Sequence, residues 1–317
     1  FKSTLYAGAF TAFVARFEDD ERAARSLRAI LLFLAGLAFL GIVESAFPDA
    51  GLFRLFRTER SIAIQPRVSS ILPWPNPYGI LMVAGVALSE GMAAARLLAP
   101  RAALLASLLF LTQVAQSGSR NAWGVTGLVL VLVAVRALRE RKGRRAATLA
   151  ASFAAGLVLL PVAAYQLRIE RSSPGARALL QERYVGTSSL ADPMLSLSLR
   201  GKIWRLGLVC VSFQPFLGLG PGVFTKVATP TVMGGRDGFN AHNLPLELAV
   251  DVGLPGLLLG LVAIAALRPA RWLSRPAGTA AAAILAGQLL DCFLYDPATV
   301  IVMLALAASL AVPRDVT

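Results

Sequence analysis

Histidine is almost missing from this chain and cysteine nearly so: His242, Cys210 and Cys292 are all that its 317 residues hold of either. A zinc site draws three or four ligands from such residues, so no zinc site is expected and no cofactor is implied. The two cysteines lie far apart in apolar surroundings, which reads as buried free thiols, with no support for a disulfide framework. Charge is thin at 15% of residues, and acids are the scarcer sign, with 18 Asp and Glu against 31 Lys and Arg. No basic region lies on a soluble module, which argues against nucleic acid as a partner. A signal-peptide pattern is also lacking. The opening residues, LYAGAFTAFVARF, read instead as the tail of a spanning helix that begins upstream of Phe1.

What the chain has in quantity is hydrocarbon. At 56% hydrophobic residues it is too apolar for an ordinary soluble domain. Several of its runs approach the roughly 20 residues a helix needs to cross a bilayer. The expected fold is all-α: a polytopic transmembrane helical bundle, residues 1–317 forming one membrane domain truncated at its N-terminus. Complete spans are expected near 29–47, 78–95, 102–115, 122–138, 146–165 and 244–267, with a final hairpin bending at Asp296-Pro297. A large external loop, about 166–243, would contain an amphipathic helix.

Charge placement gives the orientation. RERKGRR, the turn at Arg96 and Arg101, and the turn at Arg268, Arg271 and Arg275 all fall on one side if the spans alternate from a cytoplasmic start. This agrees with the tendency of Lys and Arg to stay inside. The opposite face still receives fourteen Lys and Arg, among them Arg54, Arg57, Arg60, Arg67, Arg120, Arg200 and Arg205. Topology does not account for these. Long loops cross regardless of charge, and cations there meet lipid headgroups. The alternative is that some of them hold an anionic ligand.

The richest stretch runs from Ser198 to Gly256. Arg200 and Trp204 are four apart and share a helix face, with Arg205 beside them. Leu199, Ile203, Leu206 and Cys210 form an apolar stripe, which makes this helix an interfacial one. Its arginines then touch lipid phosphates, or one of them grips a pyrophosphate through paired, planar hydrogen bonds. Gly218-x-Gly220-x-Gly222 follows. It lacks the strand and helix of a dinucleotide fold and reads as a tight turn. His242 lies between Asn240 and Asn243, at the end of the external loop where a span begins. A lone histidine is by default structural, yet it is also the side chain whose unperturbed pKa suits proton transfer near neutrality. Glu247 and Asp251 follow on the same helix, placed to orient it or simply to end the span. Arg120, in SGSRNAW, stands at another span boundary. There an arginine either snorkels or serves function, and Ser117, Ser119 and Asn121 supply polar groups around it.

These residues resemble the O-antigen ligase and polymerase superfamily of bacterial envelope glycan assembly. SGSRNAWG looks like its Ser-Arg motif, RGKIW and PFLGLGPGVF like its Arg-x-x-x-Trp helix and glycine turn, and AHNLPLELAVDVGLPGLL like its His-Asn motif. Asp251 stands where many members carry Glu. RVSSILPWPNPYG is a looser match, to an external Arg and Pro-Asn pair at Arg67 and Asn76. The resemblance implies transfer of a glycan from a polyprenyl-diphosphate donor to a hydroxyl acceptor, lipid A-core or a growing glycan. Since no metal-ligand cluster is evident, the transfer is expected to be metal-independent, with arginines in place of a cation. It further implies a multi-pass protein of the bacterial inner membrane whose site faces the periplasm, surrounded by membrane lipids. Arg120 and Arg200 would bind the diphosphate and His242 would act at the acceptor. Arg205, Arg67, Trp204, Asn243 and Glu247 would contact substrate. Transfer onto a further glycan or onto a protein hydroxyl uses the same motifs. A lipid-linked glycan transporter belongs to another class; it would be expected to carry internal repeats and broken helices at the midplane. No repeat is evident, and the polar residues gather on one face.

Overall fold

The computed structural model describes residues 20–47, 68–72, 75–139, 193–226, 241–266, 277–288, 299–300 and 302. Among these every regular element is a helix. In chain order they are α1 (Asp20–Ala46), α2 (Pro75–Ala94), α3 (Pro100–Ser117), α4 (Arg120–Arg139), α5 (Pro193–Phe213), α6 (Leu244–Ala266) and α7 (Gly278–Gly287). The fold class is therefore all-α. Among the described residues, Glu21–Ala46, Pro75–Ala94 and Leu244–Val262 are long and apolar enough to cross a membrane. The expected spans at 102–115 and 122–138 are helical as well. The span at 146–165, the bend at Asp296-Pro297 and Cys292 lie outside the described residues.

Two compact units divide the chain. Helices α1–α4 belong to the first, formed by Phe1–Arg177, Ala270–Ile284 and Leu294–Thr317; α5 and α6 belong to the second, formed by Ala178–Pro269 and Leu285–Phe293.

In the first unit α2 is the central post, packed against α1, α3 and α4. Its residues from Tyr78 to Ala93 are all buried. That suits a helix apolar all round, which must be covered on every side. By contrast α1 leaves Leu32, Phe33 and Phe39 exposed, as a lipid-facing span does. It also begins earlier than the apolar run, at Asp20. DERAARSLR is made largely of good helix formers, and Glu21 pairs with Arg25 across one turn.

The buried polar groups of this unit form two clusters: Ser107 bonds Ser89 and Glu90 near the C-terminal end of α2, and a larger set gathers near the start of α2. Glu44, near the C-terminal end of α1, is 3% exposed, and its Oε2 accepts the backbone N–H groups of Ser69 (2.9 Å) and Ser70 (2.8 Å). Ser70 has a left-handed backbone, φ 55°. The N–H of Val68 donates to the carbonyl of Gln116 on α3, and Ser45 donates to the Gln116 side chain. Tyr78 donates to Gln113 at 2.8 Å. A carboxylate near the end of a span is thus spent on holding the segment that leads into α2.

The link between α3 and α4 is built from its own side chains. Gly118 closes α3 in the left-handed conformation, its N–H returning to Ala115. Ser117 donates to the Val114 carbonyl and accepts from the N–H of Ser119. Ser119 in turn accepts the N–H of Ala122, the side-chain cap expected at a helix start. A Cβ on Gly79 would lie 2.7 Å from Ser117 Oγ and 2.9 Å from the Ala122 side chain, so α2 passes hard against this link.

Replacing Glu44 by Ala should leave two buried N–H groups without an acceptor, at about 1–3 kcal/mol each. The expected outcome is a clear fall in the thermal midpoint in detergent, with Glu44→Gln intermediate. An unchanged midpoint for Glu44→Ala would show that the carboxylate does not hold the segment.

Candidate active site

The second unit carries the only histidine. Helix α5 packs on α6, and the contact is built on small residues and a compact apolar cluster. Ile203, Cys210, Phe224, Ala241 and Val250 are its buried members, with Leu206 and Leu246 packed against it. Gly207 allows the crossing, since a Cβ there would lie 2.9 Å from Leu246. The apolar stripe expected on α5 therefore faces α6 through Ile203 and Cys210. The opposite face is apolar too: Leu208 and Val209 are exposed.

At one end of this pair the chain arrives at Ala241, which is fully buried. Both polar groups of this residue are held by side chains. Its N–H donates to Glu247 Oε2, and its carbonyl accepts the Trp204 indole N–H at 2.8 Å. Glu247 is itself 2% exposed. Then comes His242, half-buried, with a left-handed backbone at φ 49°. Histidine is among the non-glycine residues enriched in that region. Asn243 follows as the cap of α6: its Oδ1 accepts the N–H of Leu246 at 2.9 Å, and its carbonyl accepts the N–H of Glu247. Pro245 in the first turn has no N–H to satisfy. The N–H of Leu244 goes to the carbonyl of Gln288. The imidazole is thereby presented from a loop whose neighbours on both sides are fixed.

Arg200 is half-buried on α5, one turn before Trp204, while Arg205 is exposed. Trp204, Ala241, Asn243 and Glu247 thus form one hydrogen-bonded network on either side of His242, and Arg200 lies a helical turn before Trp204. Arg120 is the first residue of α4 and belongs to the first unit. Asn76 lies in the first turn of α2, and Arg67 falls outside the described residues. Asp251 is buried in α6. Among the described residues no group of His, Cys, Asp and Glu has the arrangement to hold a metal ion.

At the other end of the α5–α6 pair, α6 is interrupted. Gly253 has φ 76° and ψ 176°, and Pro255 follows it. The glycine turn fits into this break. Leu219 N–H donates to the Val250 carbonyl (2.7 Å), Gly220 N–H to Asp251 (3.0 Å), and Leu254 N–H to Pro215 (2.7 Å). A Cβ on Gly218 would come within 2.6 Å of the Asp251–Val252 backbone, and one on Gly253 within 2.5 Å of Phe216. Only residues without a side chain permit this approach. Sequence reasoning placed the turn but not its partner. A Gly-x-Pro inside an apolar run is the signal that marks the break.

Residues 105–261 match the family described as O-Antigen ligase. The chain carries an O-antigen ligase domain. No curated protein matches the chain. The ligase domain covers α4, α5 and most of α3 and α6, and so includes Arg120, Arg200, Trp204 and His242. With the helical architecture and its candidate spans, this supports a membrane glycosyltransferase of the O-antigen ligase or polymerase type.

Trp204→Phe keeps the ring and removes the donor to Ala241. One hydrogen bond contributes about 0.5–1.5 kcal/mol, so amide exchange across 241–247 should quicken by roughly fivefold at about 1 kcal/mol. Equal exchange rates in the two proteins would show that the indole N–H does not steady the loop.

Proposed function

We propose that this protein joins an O-polysaccharide, carried on a polyprenyl diphosphate, to a hydroxyl of lipid A-core on the periplasmic face of the bacterial inner membrane. The observation that carries the reading is the clamped peptide at Ala241, which presents His242 from a fixed loop at the start of a candidate span. The family match supports the donor and acceptor classes.

In this reaction the acceptor oxygen forms a new bond to the sugar's anomeric carbon as the bond to the diphosphate breaks. His242 takes the proton of the acceptor hydroxyl, which is a poor nucleophile without a base. The leaving polyprenyl diphosphate gains negative charge, and Arg120 and Arg200 stabilise it through preorganised guanidinium contacts. Arg205 and Arg67 extend the cationic surface. Trp204, Asn243 and Glu247 serve chiefly by holding the histidine loop in place.

His242→Ala should abolish transfer in a reconstituted assay with a labelled polyprenyl-linked glycan while leaving membrane insertion unchanged. Near-normal transfer would remove the histidine from the chemistry. Arg200→Lys keeps the charge but loses the paired geometry, so donor turnover should drop by tenfold or more, at about 1.4 kcal/mol per decade. Supplying lipid A-core and free glycan together decides the acceptor, because label in the lengthened glycan would make the protein a polymerase instead. Chelation should leave turnover intact; a loss with EDTA that Mg²⁺ restores would shift charge stabilisation from arginine to a metal.

A further inference from the structure

From Leu206 to Thr225 the chain holds no charged residue, and this 20-residue interval is bounded by Arg205 and Lys226, both exposed. Its midpoint is the turn at Pro215–Gly218. We infer that this interval is a re-entrant hairpin whose tip, Phe213 to Leu217, lies among the acyl chains of the bilayer near its midplane. Arg205 and Lys226 mark its two mouths at the headgroups.

Three observations carry the inference. The first is depth. Trp204 is tied to Ala241 at the start of α6, whereas Pro215 is tied to Leu254. From Leu244 to the break at Gly253 is about 14 Å at 1.5 Å per residue, and Trp204 to Phe213 is about the same. The candidate span Leu244–Val262 measures about 28 Å on that rise, close to the thickness of a hydrocarbon core. The tip therefore stands about halfway down it. The second is surface. Phe213, Phe216 and Leu217 are 77%, 75% and 81% exposed. The turn is tied to α6 where Leu254 N–H meets the Pro215 carbonyl, and Leu254 and Leu258, one turn apart on α6, are exposed as well. That continuity with a span's outer face selects lipid chains as the occupant. The third is backbone satisfaction. Irregular backbone survives at membrane depth only when its polar groups are paired, and the turn pairs with the interrupted helix through three hydrogen bonds. Ser212 on the exposed face returns its hydroxyl to Val209. Gln214 is the polar side chain left at the tip, and it is neutral.

The test uses the full chain in proteoliposomes, with Cys210→Ala and Cys292→Ala and a nitroxide placed in turn at Leu217→Cys, Lys202→Cys and Leu259→Cys. Collision with oxygen, which concentrates in hydrocarbon, is compared with collision with a water-soluble nickel chelate. Position 217 should match position 259, oxygen-rich and nickel-poor, and position 202 should show the reverse. A label at 217 as open to nickel as that at 202 would overturn the proposal and leave α5 on the surface. A label at 217 shielded from both would also overturn it, showing that protein covers the tip. In the natural cysteine background, p-benzoylphenylalanine in place of Phe216 gives a second reading that should crosslink to phospholipid acyl chains. Crosslinks to protein alone would contradict it.

Discussion

A hydrogen-bonding group without a partner is costly anywhere inside a protein, and costliest in hydrocarbon, where water cannot stand in. The second unit is arranged around that constraint. Gly253 and Pro255 interrupt α6 and leave carbonyls at Val250 and Asp251 that the helix cannot use. The glycine turn, broken in its own way, has N–H groups at Leu219 and Gly220 to give them. Neither segment is self-sufficient, and each completes the other. Glycines at 218 and 253 follow from the distance at which the two backbones must meet. The position of α5 follows from this junction at one end and from the Trp204 contact to Ala241 at the other. A histidine loop held at a helix start depends in turn on α5 staying where it is.

The same economy of polar groups shapes the first unit. Glu44 is buried and accepts the amides of Ser69 and Ser70, and so fixes the segment that leads into α2. Ser117 and Ser119 look in the sequence like ligands gathered around Arg120. They are engaged in ending one helix and starting the next. Arg120 thus occupies the first position of a capped helix, where backbone N–H groups and the helix dipole favour an anion.

Helices with period and length were legible from the sequence. The expected span at 78–95 corresponds to Pro75–Ala94 and that at 244–267 to Leu244–Ala266, because long apolar runs bounded by Pro, Gly and charge leave few alternatives. The start of α1 at Asp20 was not, since charged helix formers read equally well as a loop when the criterion is hydropathy. The residues of the constellation were legible as types: a lone histidine, an indole, a carboxylate one turn into a helix. Their relations were not. Nothing local to RGKIW says that its Trp bonds a carbonyl 37 positions away, or that Glu247 turns back toward Ala241. Such contacts are set by tertiary approach, which one-dimensional periodicity does not encode. The break in α6 has a local mark, Gly253-x-Pro255, but the apolar run around it reads as one continuous span.

The left-handed backbone at residue 242 has one more consequence. That geometry is open to glycine and asparagine more readily than to histidine, and strained for β-branched side chains. The backbone conformation alone therefore does not call for an imidazole. A descendant with asparagine there would keep that backbone conformation while losing the imidazole that the proposed reaction employs, so shape at this position outlives chemistry.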